Sequence, residues 1–404
     1  MILLDYNKDE LTNWVVALGF PRFRGEQLYT ALLNGKNSTD RMNLPKDMIG
    51  ELAKLGVFQP VAIEQMQESK KEKNIKYLFK LSDGNLIEGV LMQYKFGNTL
   101  CVSTQVGCKM NCAFCASGLN GWNRNLTAGE ILGQVVAVNK SLGGTVSSRK
   151  ITNIVLMGMG EPLDNYDNVV KFLKNITREG FNFSARNISV STCGIPSKIE
   201  RLADENIPVT LCISLHAPND EIRQSIMPIA RNYSMKSVLE AAQYYYTITN
   251  RRIIIEYTVI KGVNDKFKDA KQLSEALGKL PCHVNVIRLN EVKERGLKAP
   301  TAETCKEFVN SLNRFGVSAT MRRTLGDDID GACGQLRNKN LNAANENIKA
   351  KSVQLKEVKS AKNVDKKTDK KDTSNKVSKP LKRSDRVSKN NVNKTFKSNR
   401  GGKR

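Results

Sequence analysis

The chain has 404 residues, with 64 Lys and Arg against 40 Asp and Glu, and a formal net charge of +24. That length holds two domains plus a tail without disulfide stapling, and nine cysteines with no apolar run of membrane-span length argue against a secreted disulfide scaffold and a membrane protein. The opening Met-Ile-Leu-Leu before Asp5 is too short for a secretory apolar segment, so the reading is a reducing, cytoplasmic setting in which the excess of cations makes nucleic acid the default partner.

Residues 8–56 read as short helices. Asp9 precedes an apolar pattern through Leu11, Trp14, Val15 and Leu18; Phe20-Pro21 breaks it, and Glu26 to Leu33 resumes helical spacing. With Leu44-Pro45-Lys46 and Leu52 to Val57 this predicts a helical module over 1–60, equally a structural cap or an RNA-contacting accessory domain. Over 61–98 the period shifts toward two. Tyr77 to Leu81, the turn Asp83-Gly84, and Leu86 to Met92 predict a hairpin that links the helical module to the core of the chain. Glu88 lies among apolar neighbours in its second strand, and spacing alone puts it on the solvent face rather than poised as a base.

From 99 to 338 strands and helices alternate. Thr127 with Glu130 three residues on predicts a capping box for a helix to Leu142; apolar strands follow at Ile151–Met157, Asn187–Thr192, Val209–Leu215, Ile253–Ile260, Val284–Leu289 and Val317–Met321, with amphipathic helices between. The expected fold is α/β, a partial (β/α)6 barrel whose chemistry gathers at the C-terminal ends of the strands. Gly160 and Glu161, Ser191, Ser214 and His216, and Asn290 fall there. Beyond about Asn338 apolar content collapses, and Leu341 to Arg404 holds 20 Lys and Arg against 6 Asp and Glu, so 14 of the 24 net positive charges sit on that stretch of a tail (339–404) read as disordered.

The chemistry starts at Gly107 to Gly118. Cys108, Cys112 and Cys115 form a C-x3-C-x2-C array that one loop can aim at one point. A structural zinc site wants four ligands, and four cysteines on an iron–sulfur cluster leave no iron open, whereas three on a [4Fe–4S] cluster leave one iron for a cosubstrate. The competing reading is three cysteines clustered by chance, or a zinc completed from elsewhere. Gly158-Met159-Gly160-Glu161-Pro162 follows a strand; its glycines permit close backbone approach, and Glu161 can accept hydrogen bonds from an ammonium or a ribose. Cys333, flanked by glycines, reads as an accessible thiol, although three nearby aspartates do not favour its thiolate. Cys101 is a second reactive thiol or strand core; Cys193, Cys212, Cys282 and Cys305 read as packing residues.

These motifs together resemble one family. The cysteine spacing is that of the radical S-adenosylmethionine (SAM) superfamily. Leu100 to Cys108, Met157 to Leu163, Ser214-Leu215-His216 and Gly326-Asp327-Asp328-Ile329-Asp330-Gly331-Ala332-Cys333-Gly334-Gln335-Leu336 resemble the RlmN-type RNA methyltransferases, over roughly residues 5–338. The resemblance implies that Cys108, Cys112 and Cys115 hold a [4Fe–4S] cluster, and that Gly160, Glu161, Ser191, Ser214, Leu215, His216 and Asn290 line a SAM pocket. It also implies that Cys333 carries a methyl group, that Glu88 accepts a proton, and that Cys101 closes a transient disulfide with Cys333. The reaction it implies is methylation of adenine C2 in 23S rRNA and tRNA by a monomer fed by an electron donor such as flavodoxin or ferredoxin. The sister activity at adenine C8 shares this chemistry, and a non-catalytic RNA-binding iron–sulfur protein is the reading from another class.

Overall fold

The computed structural model describes residues 1–178, 180–323, 329 and 334–340. Cys333 and the tail beyond residue 340 lie outside the described residues. Three helices open the chain: α1 (Lys8–Ala17), α2 (Arg22–Leu33) and α3 (Lys46–Leu55). The cap of α1 is Asn7. Its side chain accepts from Glu10 N at 2.8 Å while the Glu10 carboxylate accepts from Asn7 N at 2.9 Å, a reciprocal capping box. Leu11, Val15, Leu28 and Leu32 of these helices belong to the same continuous apolar core as the sheet. Asp5 also accepts from Gly129 N at 2.6 Å, so the helical module is packed onto the rest rather than tethered to it.

The remaining elements are β1 (Val61–Glu68), β2 (Ile75–Leu81), β3 (Leu86–Tyr94), β4 (Gly97–Cys101), β5 (Gln105–Gly107), β6 (Trp122–Asn125), α4 (Ala128–Ser141), β7 (Asn153–Leu156), α5 (Tyr166–Thr177), β8 (Ile188–Thr192), α6 (Pro196–Asp204), β9 (Thr210–Ser214), α7 (Asp220–Ile226), α8 (Met235–Thr249), β10 (Ile253–Val259), α9 (Phe267–Leu277), β11 (Cys282–Arg288), α10 (Ala302–Arg314) and β12 (Ala319–Met321). Ten strands make one sheet in the order β1-β2-β3-β4-β7-β8-β9-β10-β11-β12. From β1 to β4 neighbours are antiparallel, and from β4 onward every pair is parallel.

Parallel neighbours need a crossover, and α4, α5, α6, α8, α9 and α10 supply six of them, which is the expected six-unit α/β architecture. Ile154, Val190, Leu211, Ile255 and Val284 are wholly buried, because helices cover strands that read as nearly unbroken Val, Ile and Leu. The predicted hairpin is β2–β3, turning at Asp83-Gly84 with Leu78 opposite Glu88, and it is an integral part of the sheet. Sequence reading missed α7 and the two-stranded ribbon β5–β6, whose strands of three and four residues are too short to show a period. That ribbon matters for the site: residues 108–121 are the loop between its strands. Among the described residues no helix is long and apolar enough to cross a membrane.

Candidate functional site

The β5–β6 ribbon presents the three-cysteine loop. Cys108 N donates to Gly121 O at 3.1 Å, tying the two ends of the loop, and Ala113 N donates to Ile226 O at 2.8 Å, tying its middle to α7. Met110, Phe114 and Cys112 pack on a small apolar cluster of Cys193, Ile226, Met227, Ile260 and Leu289. Burial pushes the Cys108 thiol up to about 12 and the Cys112 thiol higher still, with Cys115, Glu161 and each other adding repulsion. Such thiols become thiolates only if a positive group arrives with them.

Among the described residues no three His, Cys, Asp or Glu side chains are gathered as ligands of a single metal ion. A cubane cluster asks for something else, one thiolate on each of several separate irons, and three half-buried soft donors on one loop fit it. Arg223 of α7, which the sequence did not mark, lies wholly buried beside them. Its guanidinium donates to Cys193 O at 2.6 Å and Tyr233 O at 3.0 Å, and its Nε has no partner.

The turn after β7 meets the loop from the other side. Gly160 has φ +104°, and a Cβ there would lie 2.6 Å from the Gln105 side chain, so this glycine serves a close approach between two strand ends. Glu161 is 4 % exposed; its carboxylate accepts from Leu163 N at 3.0 Å and Cys193 N at 2.7 Å, while burial raises its pKa. Next along the sheet, Ser191 and Ser214 face each other at 3.3 Å between hydroxyl oxygens. Leu215 is fully buried, and its N–H donates to Glu256 O.

His216 has φ +57°, and its ring stands edge-on to Phe114 at 4.7 Å between centroids. Its Nδ1 accepts from Thr258 N at 3.0 Å, which fixes a neutral ring with the proton on Nε2. Burial, helped by Arg223, depresses its pKa to about 3. His216 therefore acts as a neutral donor and packing group, not as a charged one.

A cavity of about 350 Å³ brings these elements together. Cys101 at the end of β4, Cys115 of the loop, Ser214 and Asn290 all line it, so strands far apart in sequence converge there. Arg322 lines it as well and pairs with Glu256 of β10 at 3.2 Å, a charged layer that sequence reading missed. A larger groove of about 1440 Å³ lies between α2 and the turns at Ser147 and Phe181, but it holds no cysteine and no residue of the site.

Glu88 is not on the solvent face. It is 1 % exposed, and Lys76, itself 0 % exposed, reaches its Oε2 at 2.6 Å. Gly334 N donates to the same oxygen at 2.6 Å and Arg337 N to Oε1 at 2.5 Å. The carboxylate thus holds the start of the 334–340 helical turn, and that turn rests on the cysteine loop. Gly334 has φ +88°, and a Cβ on it would lie 2.7 Å from Ser117 N. Sequence alternation failed here because both faces of β3 are covered. The eight cysteines among the described residues form no disulfides with one another, and Cys193, Cys212 and Cys305 are buried packing residues, with Cys282 half-buried.

Comparison with known proteins agrees with this geometry. The family model for the "Radical SAM superfamily" matches residues 102–273. A protein of Clostridium botulinum (strain Alaska E43 / Type E3) named "Probable dual-specificity RNA methyltransferase RlmN" is 47 % identical over 337 residues, covering 83 % of this chain and 96 % of its own. Its namesake in Clostridium perfringens (strain 13 / Type A) is 47 % identical over 341 residues, with the same coverages. The crystal structure of a radical SAM methyltransferase from Sphaerobacter thermophilus superposes with a TM-score of 0.79 at 40 % identity, covering 83 % of this chain and 98 % of that one.

Proposed function

This chain belongs to the RlmN family of radical SAM RNA methyltransferases, and from that premise we propose that it methylates C2 of a specific adenine in 23S rRNA and of the adenosine 3′ of the anticodon in tRNA. The observation that carries the reading is the single cavity lined by Cys101, by the loop cysteine Cys115 and by Ser214 and Asn290. The reading is supported by the thiols of Cys101 and Cys115 and two polar strand ends opening on one space.

Adenine C2 is electron-poor, and no ordinary base makes it a nucleophile for a sulfonium methyl. A [4Fe–4S] cluster on Cys108, Cys112 and Cys115 would supply the electron that splits SAM, bound among Gly160, Glu161, Ser191, Ser214, Leu215, His216 and Asn290, into a 5′-deoxyadenosyl radical. Cys333 first takes a methyl group from another SAM, so each turnover uses two. Its S-methyl group gives up a hydrogen atom and adds to C2 as a methylene radical. Glu88 then takes the C2 proton. Cys101 closes a disulfide with Cys333 as the Cys333 S–CH2 bond breaks; the freed CH2 takes up a proton to become the methyl group, and the odd electron left over would return to the cluster.

The chain works as a monomer with RNA as its partner and a flavodoxin or ferredoxin as electron donor. The positive charge of the body favours capture of an RNA in which the target adenine is unstacked.

Mass spectrometry of rRNA and tRNA nucleosides after anaerobic reaction with reductant and labelled SAM tests this. The expected result is 2-methyladenosine with the wild type and none with Cys333→Ala. Appearance of 8-methyladenosine would move the product to the sister activity. An intact cluster with no SAM cleavage in the presence of RNA would support a non-catalytic RNA-binding protein.

A further inference from the structure

Lys76 on β2 and Glu88 on β3 are diagonal neighbours on one face of an antiparallel pair, Lys76 lying opposite Val90 and Glu88 opposite Leu78. Their 2.6 Å contact is withdrawn from water on both sides, with side chains 0 % and 2 % exposed. An apolar pair of the same shape serves stability as well as a buried ion pair or better, so packing alone does not explain the arrangement. A base that takes a proton from carbon must be an anion when that proton arrives, and an isolated carboxylate in a dry site is disfavoured as an anion.

The geometry points to Lys76 as a positioning residue for the proton-removal step, its ammonium holding Glu88 as an oriented carboxylate beside the segment that follows Cys333. This rests on the proposed role of Glu88 as acceptor of the C2 proton. In that step the C2–H bond breaks, the proton forms an O–H bond on Glu88, and the electron pair of the broken bond stays with the ring. Lys76 exchanges no proton and keeps its charge.

The amides of Gly334 and Arg337 fix the same two oxygens from the opposite side, so the carboxylate is aimed by three donors from two parts of the chain. Arg337 adds a second buried cation, its Nε and Nη1 without hydrogen-bond partners among the described residues.

The test uses full-length, cluster-loaded enzyme and a tRNA transcript under single-turnover conditions, comparing wild type, Lys76→Met, Lys76→Arg, Glu88→Gln and the double Lys76→Met/Glu88→Gln. Each reaction is scored for 5′-deoxyadenosine, for a covalent RNA–protein adduct that survives denaturation, and for released methylated RNA. Lys76→Met is expected to form deoxyadenosine and adduct but release product at least 10-fold more slowly, with Lys76→Arg partly restoring release. The double variant, which buries no lone charge, is expected to match Glu88→Gln.

Release by folded Lys76→Met at the wild-type rate, or a double variant clearly slower than Glu88→Gln, would overturn the inference. Should Lys76→Met fail to load its cluster, the comparison of the double with Glu88→Gln decides alone. Normal release by Glu88→Gln would instead remove the assignment of Glu88 as the base, and the role of Lys76 with it.

Discussion

Two buried carboxylates flank the cysteine loop, and the chain treats them differently. Glu161, in the turn after β7, is held by neutral donors, the amides of Leu163 and Cys193 with the Thr192 hydroxyl and the Cys193 thiol beside them. Glu88, on β3, also accepts from two amides but adds the ammonium of Lys76. Backbone donors can stabilise a charge at no cost in side-chain freedom, yet burial still raises the pKa of Glu161. Neutral donors are enough to seat one buried carboxylate, whereas the other also faces a fully buried cation. Glu130 of α4 stands between them. It is 1 % exposed and held both by a capping box with Thr127 and by a two-pronged contact with Arg124 at 2.7 and 2.8 Å.

The largest expected break in this comparison is Glu88→Gln. Removing a general base lowers rates by roughly 10²–10⁴-fold, so product release should fall by that order while radical generation continues. Nucleoside mass spectrometry alongside deoxyadenosine analysis reads both. Glu161→Gln should act on stability and, through the proposed pocket, on SAM affinity, but not on product release. It sets an amide group against one of two buried N–H donors, which costs about 1–3 kcal/mol and should appear in chemical denaturation without SAM. A product-release defect at saturating SAM with unchanged stability would erase the distinction between the two carboxylates.

His216 sharpens the contrast, since it is buried without any charge to protect. Its folded pKa of about 3 lies below its unfolded value, so between the two the unfolded chain binds the proton and the folded chain does not. Stability therefore falls as pH drops through about 6.5, at about 1.4 kcal/mol per pH unit from this group alone. His216→Asn keeps an acceptor for Thr258 N, suits the positive φ, and should flatten that slope in denaturation curves taken from pH 7 to 5. The smallest expected effect is at the intermediate carboxylate, where Thr127→Ala removes one of the cap's two hydrogen bonds. About 1 kcal/mol of stability should go, without change in the rate of the cluster-loaded enzyme.

Much of this was written in the sequence because it follows from local rules. The six crossover units announce themselves through apolar strands and amphipathic helices, the Asp83-Gly84 hairpin through its turn, and the α4 capping box through Thr127 and Glu130. The three-cysteine loop is legible because its ligands lie within eight residues. Lys76 and Arg223 are not legible in this way. Each looks like an ordinary surface cation in its own segment, and only tertiary packing encloses it, one against a carboxylate on the next strand and the other against carbonyls of Cys193 and Tyr233. Glu88 misled the alternation rule for the same reason, because the cover on its outward side arrives from 246 residues further along the chain.

That separation has a consequence for how the protein is made. Most contacts of the parallel sheet join strands adjacent in sequence and can form as they are synthesised. The bond from Gly334 to Glu88 cannot form until nearly all of the matched region has been translated. At 5–20 residues per second the wait between the two residues is roughly 10–50 s. During that interval the sheet and cysteine loop can be complete while the carboxylate lacks its C-terminal clasp. The last turn of the body therefore works as a completion signal: a truncated or stalled chain can fold most of its scaffold without ever clasping Glu88.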